Sequence, residues 1–241
     1  MKIDNRYYDS LGDDWWDPSG PMGLLLHINR LRYRYFHGVL EDPKGMKILD
    51  VGCGGGFLAE AFASDGANVY GLDLSPNSLQ TARDHAGKKG LCLRVVSGRA
   101  ECLPYASGVF DAVVLADVLE HLEDFKTAIA ESSRVLRQGG FLLYETVNRT
   151  LLSRIGAIWI LEYVLRRIPL HSHDWSMFIK PRELLNALAS CNLRNRELRG
   201  IAIKDGVLGF LLRSVTGQDP WVFTIGGDIR ATYVGYAIKS G

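Results

Sequence analysis

The stretch ILDVGCGGGFLAEAFASDGANVYGLDLS, Ile48 to Ser75, reads as a strand, a glycine turn, a helix and a second strand that ends on an acid. This is the layout of a nucleotide-binding βαβ unit, and its details select among nucleotides. A dinucleotide site uses G-x-G-x-x-G, with the pyrophosphate resting on the helix N-terminus. Here Gly52, Gly54 and Gly56 form G-x-G-x-G, and Phe57 takes the place of the third fingerprint glycine. Asp50 at the end of the first strand would repel a pyrophosphate, yet it suits an ammonium group, directly or through water. Asp73 lies about 20 residues past the turn, where a carboxylate accepts both ribose hydroxyls. An adenosine with a cationic tail and no phosphates satisfies these charges, and S-adenosylmethionine (SAM) is such a ligand. For the glycines taken alone, a tight strand-to-helix connection is the plainer alternative.

Outside this unit, composition excludes several classes. The chain has 241 residues, enough for one large α/β domain with additions. Its 28 basic and 27 acidic residues leave a net charge of +1, so no global field points to nucleic acid. Cys53, Cys92, Cys102 and Cys191 form no C-x-x-C pair and no zinc spacing, which reads as reduced thiols in a cytoplasmic compartment. The N-terminus MKIDNRYYDSLGDDWWD lacks an apolar signal region.

Four regions follow along the chain. Residues 1–43 hold an aromatic-rich start and a helix in which Leu24, Ile28, Leu31, Tyr35 and Val39 recur at near-helical spacing. Residues 44–147 alternate strands with helices, and the strands are continuous apolar runs, as in a parallel sheet covered on both faces. Residues 148–181 form an inserted segment. Residues 182–241 begin with the helix of RELLNALASCN and continue in extended runs that close with ATYVGYAIKS. The whole reads as a single domain.

The motifs LDVGCGGG, GLDLS, LEHLED and VLRQGGFLLYET resemble those of class I SAM-dependent methyltransferases. WWD at Trp15–Asp17, HINRLR at His27–Arg32, TVNRTLLS and EYVLRRIPLHSHDWSMFIKPREL narrow the resemblance to the ubiquinone-biosynthesis O-methyltransferase family. The likeness runs from about residue 7 to 190. It departs at the C-terminal section, where GIAIKDGVLGF stands in place of the family's Tyr-Asn-Pro, and at Arg30, where the family carries Pro. The resemblance implies a Rossmann-like fold, with a seven-stranded, mostly parallel sheet whose last strand is antiparallel. It also implies SAM as cofactor and a phenolic or catechol hydroxyl of a polyprenyl or demethylubiquinol-like intermediate as acceptor. Partner enzymes of a quinone pathway come with that expectation. By the same resemblance Arg32 takes the methionine carboxylate, Gly52 and Gly54 the turn beneath it, and Asp73 with Leu74 the ribose end. Ala100 and Glu101, after Arg99, face the adenine, and Ala116 ends the fourth strand beside the cofactor. A guanidinium fork matches a carboxylate, which supports Arg32; a solvated face shared with Arg30 and Arg34 is the alternative.

Methyl transfer needs the acceptor oxygen deprotonated and placed in line with the sulfonium. A phenol with a pKa near 10 costs roughly 4 kcal/mol to ionise at pH 7, so a base or a metal must lower that cost. His121 in ADVLEHLED is the candidate base. Asp117, Glu120 and His121, at i, i+3 and i+4, would converge on a divalent metal if the turn is helical. His173 and Asp174, which match the family motif, form a second catalytic set in a loop that closes over the acceptor, with His171 ranked behind them.

Other classes stay open: a methyltransferase acting on another small acceptor at oxygen or carbon, and a quinone- or lipid-binding protein on the same fold. An NAD-dependent oxidoreductase would need the pyrophosphate space that Asp50 and Phe57 take. Finally, residues 151–167 are apolar but interrupted by Arg154, Glu162, Arg166 and Arg167, which excludes a spanning helix. Trp159 and Tyr163 beside those arginines fit a helix lying in anionic headgroups at the inner face of a membrane. A lid packed on the domain itself is the alternative.

Overall fold

The computed structural model describes residues 5–155 and 174–240. His171, His173 and most of the 151–167 segment therefore lie outside the described residues. At its centre is one eight-stranded sheet in the order β3-β2-β1-β4-β5-β8-β6-β7. Strands β1 (Lys47–Val51), β2 (Asn68–Asp73), β3 (Arg94–Ser97), β4 (Phe110–Ala116) and β5 (Leu136–Val147) run parallel. β8 (Thr232–Lys239) pairs antiparallel with both β5 and β6 (Leu193–Ile203), and β7 (Phe223–Gly226) pairs antiparallel at the edge of β6. The expected antiparallel last strand is present. The expected count of seven is corrected to eight by the four-residue β7, too short for its side-chain alternation to register in the sequence.

The apolar runs bury as a two-sided sheet requires. Leu49, Val51, Val113, Leu115 and Leu142 face one core, with α5 (Phe125–Val135) and α7 (Pro181–Ser190) packed over it. Ile48, Val69, Ala112, Val114 and Leu143 face the other, under α2 (Gly23–Leu40), α3 (Phe57–Ser64) and α4 (Pro76–Lys88). Helix starts follow side-chain chemistry. Ser75 accepts from the Ser78 amide ahead of Pro76, and Asp124 accepts from the amides of Lys126 and Thr127.

The N-terminal segment, α1 (Asn5–Ser10) and a 3₁₀ turn at Gly12–Trp16, lies over the glycine loop. Tyr8 stacks on Trp15, whose indole Nε1 donates to Ser78 Oγ at 3.1 Å. One departure falls past β5. A helical turn, α6 (Leu151–Ser153), follows the sheet, and α8 (Gly206–Val215) forms where extended structure was expected. The run GVLGFLLRSV satisfies either reading locally, and its packing on β6 selects the helix. Among the described residues no helix is long and apolar enough to cross a membrane.

Candidate active site

In an open parallel sheet, ligands bind beyond the carboxyl ends of the strands where the strand order reverses, here between β1 and β4. A cavity of about 540 Å³ lies there. Arg32, Asp50, Gly52, Gly54, Asp73, Leu74, Ala100, Glu101, Ala116 and His121 all line it, so ten of the residues singled out from sequence meet in one place.

The turn after β1 is held by the end of β2. The amides of Gly52 and Cys53 donate to the Leu72 carbonyl at 2.7 and 3.1 Å. Gly52, Gly54 and Gly56 all have positive φ, a conformation that L side chains adopt at a cost. At Gly54 a second constraint acts, because an added Cβ would meet the Trp15 ring at 2.5 Å. The glycine therefore admits the N-terminal tryptophan.

Asp73 accepts the Gly54 amide on Oδ2 and the Ser75 amide on Oδ1, both at 2.9 Å, which aims its carboxylate at the cavity. Burial raises its pKa against those backbone bonds. Asp50 at the end of β1 is pushed up to about 7 by burial, partly offset by Arg32 and the Ala59 amide. Leu74 is 44% exposed, an apolar side chain turned toward open space at the cavity wall. Arg99 pairs with Glu101 at 3.2 Å beside Ala100, where an adenine edge was expected.

Arg32, buried to 4% exposure, forms part of the floor. Its Nε donates to Asn29 Oδ1 at 3.2 Å, and its Nη1 donates to both Asp117 Oδ2 and, at 3.1 Å, Glu145 Oε2. Burial alone would raise the pKa of Asp117, but the Arg32 charge and hydrogen bond hold it below the usual range. Burial and the neighbouring Asp117 push Glu145 well above it. Sequence reasoning found Arg32 and missed Glu145. The available signal was an acid inside the otherwise apolar strand LLYETV.

His121 closes a 3₁₀ turn, Leu119–His121, and lines the cavity. The proposed metal set does not assemble. Asp117 has a left-handed φ of 53° and turns to Arg32, while Glu120 accepts from Thr146 Oγ1 at 2.8 Å. Among the described residues no group of three or more His, Cys, Asp or Glu is arranged to hold a metal ion. Asp174 caps the 3₁₀ turn Trp175–Met177, accepting from the Ser176 amide at 2.9 Å, and it is Met177 that lines the cavity. Tyr8, Met22, Leu24, Ile28, Val147 and Thr232 complete a largely apolar wall.

A family model described as a methyltransferase domain matches residues 49–144. The ubiquinone biosynthesis O-methyltransferase of Pectobacterium carotovorum subsp. carotovorum is 36% identical over 195 residues, covering 80% of this chain and 82% of that protein. The protein of the same name from Thiobacillus denitrificans is 38% identical, covering 80% and 84%. The chain belongs to the ubiquinone biosynthesis O-methyltransferase family. Solved structures agree on the fold. Magnesium protoporphyrin IX methyltransferase from Synechocystis, solved with bound S-adenosylhomocysteine, superposes with a TM-score of 0.67 at 17% identity and 98% coverage of both chains. A SAM-dependent methyltransferase from Aquifex aeolicus superposes with a TM-score of 0.64 at 15% identity, covering 99% of this chain and 100% of that one. This family membership makes the protein a SAM-dependent methyltransferase, and the charges at the strand ends fit that cofactor. The site holds the carboxylates of Asp50 and Asp73 and the buried guanidinium of Arg32.

Proposed function

We infer that the protein transfers the SAM methyl group to a phenolic or catechol hydroxyl of a ubiquinone-pathway intermediate, a polyprenyl catechol or demethylubiquinol-like quinol. The observation that carries this reading is one cavity lined by the acids of the β1 and β2 ends, by an apolar wall and by His121. In it Asp73 takes the ribose hydroxyls with Leu74 beside it, Ala100 and Glu101 the adenine, and Asp50 the methionine ammonium. The Nη2 edge of Arg32, which has no hydrogen-bond partner among the described residues, takes the methionine carboxylate. Glycine backbone at 52 and 54 admits the tail between them. His121 accepts the phenol proton as the oxygen attacks, which removes most of the ionisation cost at neutral pH. The apolar wall excludes water from the sulfonium. His173, with Asp174 nearby, remains the second candidate pair for the acceptor side.

An acceptor with a polyprenyl tail resides in a membrane, and we propose that the enzyme meets it at the inner face of an anionic bilayer through residues 151–167. The described start of that segment supports this reading: Leu151, Leu152 and Ile155 are exposed beside Arg154. Partner enzymes of the pathway fit the same location. Turnover with SAM and a panel of catechols and quinols, with and without Mg²⁺, Zn²⁺ or chelator, tests the reaction. Activity restricted to 1,2-dihydroxy aromatics and unaffected by chelator is expected. Activity abolished by chelator would transfer the role of His121 to a metal.

A further inference from the structure

Four groups converge at the cavity floor from three separate elements: Asn29 and Arg32 of α2, Asp117 just past β4, and Glu145 of β5. Asp117 and Glu145 are neighbours because their strands are, and the Asp117 amide donates to the Glu145 carbonyl at 3.3 Å. Their side chains then share one nitrogen of one guanidinium. They differ in exposure: the Asp117 side chain is 28% exposed and the Glu145 side chain 1%. Arg32, Asp117 and Glu145 all line the cavity, and Glu145 is the most deeply buried of the three.

We propose that Glu145 is a positioning residue for the cofactor, clamping Arg32 Nη1 together with Asp117 so that the Nη2 edge faces the methionine carboxylate. The inference rests on SAM occupying the cavity as argued above. The clamp works as hydrogen-bond geometry, with no second negative charge. Arg32 and Asp117 already neutralise each other, and a further buried anion beside Asp117 would carry an uncompensated desolvation cost. The raised pKa of Glu145 agrees, since a neutral acid donates to Asp117 with one oxygen and accepts from Arg32 with the other. The remaining ionisable groups facing this cluster are Asp50 across Arg32, Glu120 and His121 on the β4 side, and Tyr8 from the N-terminal cap. None of them supplies a second bond to Nη1. With Glu145 removed, the guanidinium keeps Asn29 and Asp117 but is free to swing about that pair.

Calorimetry with two ligands separates this from general damage. S-adenosylhomocysteine carries the amino-acid tail, whereas 5′-methylthioadenosine has the adenosine and sulfur without it. Glu145→Leu, which keeps the buried volume, should weaken S-adenosylhomocysteine about 10-fold or more, the loss of one well-placed charged hydrogen bond. It should leave 5′-methylthioadenosine within about threefold. Glu145→Gln, which keeps one acceptor and one donor, should hold S-adenosylhomocysteine within about threefold of wild type. Turnover should follow as a raised KM for SAM with kcat nearly unchanged. Unchanged S-adenosylhomocysteine affinity in Glu145→Leu would overturn the proposal. So would equal weakening of both ligands, or a Gln variant as weak as the Leu variant. Glu145→Ala is measured in the same way and serves if the Leu variant does not fold. Wild-type protein that binds neither ligand would instead refute SAM occupancy of the cavity.

Discussion

The burial of Asp50 at the end of β1 makes cofactor binding depend on pH. Desolvation holds its carboxyl at about 7, against an ordinary value of 3.8. In the proposed binding mode SAM brings an ammonium group to the end of β1, and that cation favours the ionised carboxylate. Below pH 7 binding must therefore expel a proton, and the affinity for SAM should fall by about tenfold per pH unit between pH 7 and 5. Above pH 8 the ligand's own α-amino group, with a pKa of about 7.7–8.0, loses its charge, so affinity peaks between the two values. Folding responds in the opposite sense. A carboxyl whose pKa is raised in the folded state contributes stability that is full below pH 3.8 and is lost as pH rises through 7. About three pH units at 1.36 kcal/mol each set a ceiling of roughly 4 kcal/mol on that loss. Calorimetric titration with SAM from pH 5.5 to 8.5, in two buffers of different ionisation enthalpy, counts the protons released. Asp50→Asn should remove the acid limb and raise the melting temperature of the ligand-free protein at pH 8. A wild-type affinity flat across pH 5.5–7, or an acid limb that survives in Asp50→Asn, would refute the assignment of Asp50 to the ammonium group.

Three further outcomes follow from the same geometry. Asp73→Ala removes two bonds to ribose hydroxyls, each worth about 1.5–3 kcal/mol to a charged acceptor, so SAM affinity should drop at least 100-fold by calorimetry. His121→Ala should lower kcat by about 10²–10⁴-fold with SAM affinity almost unchanged, measured by single-turnover kinetics. Replacing Arg154, Arg166 and Arg167 together with Glu should release the protein from anionic vesicles in co-sedimentation, since each arginine contributes about 1 kcal/mol there, while turnover of a short-tailed soluble catechol survives.

What the sequence made legible was local. The strands ILDVG and VVLAD are apolar runs too short for helices, and their acids fall at strand ends because the period of each run stops there. That places Asp50, Asp73 and Ala116 at the carboxyl ends of their strands, on one side of the sheet. Juxtapositions across the sheet were hidden. Nothing in the spacing brings Glu145 to Arg32, 113 residues away. Nor does local pattern place Trp15 against Gly54, although both were noticed as motif residues. Asp117, Glu120 and His121 failed as a metal set for a local reason. The helical periodicity assumed for them begins two residues late, after a left-handed Asp117. The helix α8 was missed because a dense apolar run fits strand and helix equally until a neighbour chooses.

The most direct test of the central claim is product analysis after incubating the enzyme with SAM bearing a trideuterated methyl group and a short-tailed demethylubiquinol-like catechol. Mass spectrometry and NMR should find one trideuteromethyl group per turnover, on a phenolic oxygen ortho to the second hydroxyl, with S-adenosylhomocysteine formed in equal amount. Label on ring carbon, or SAM bound without any transfer to a catechol or quinol, would contradict the account.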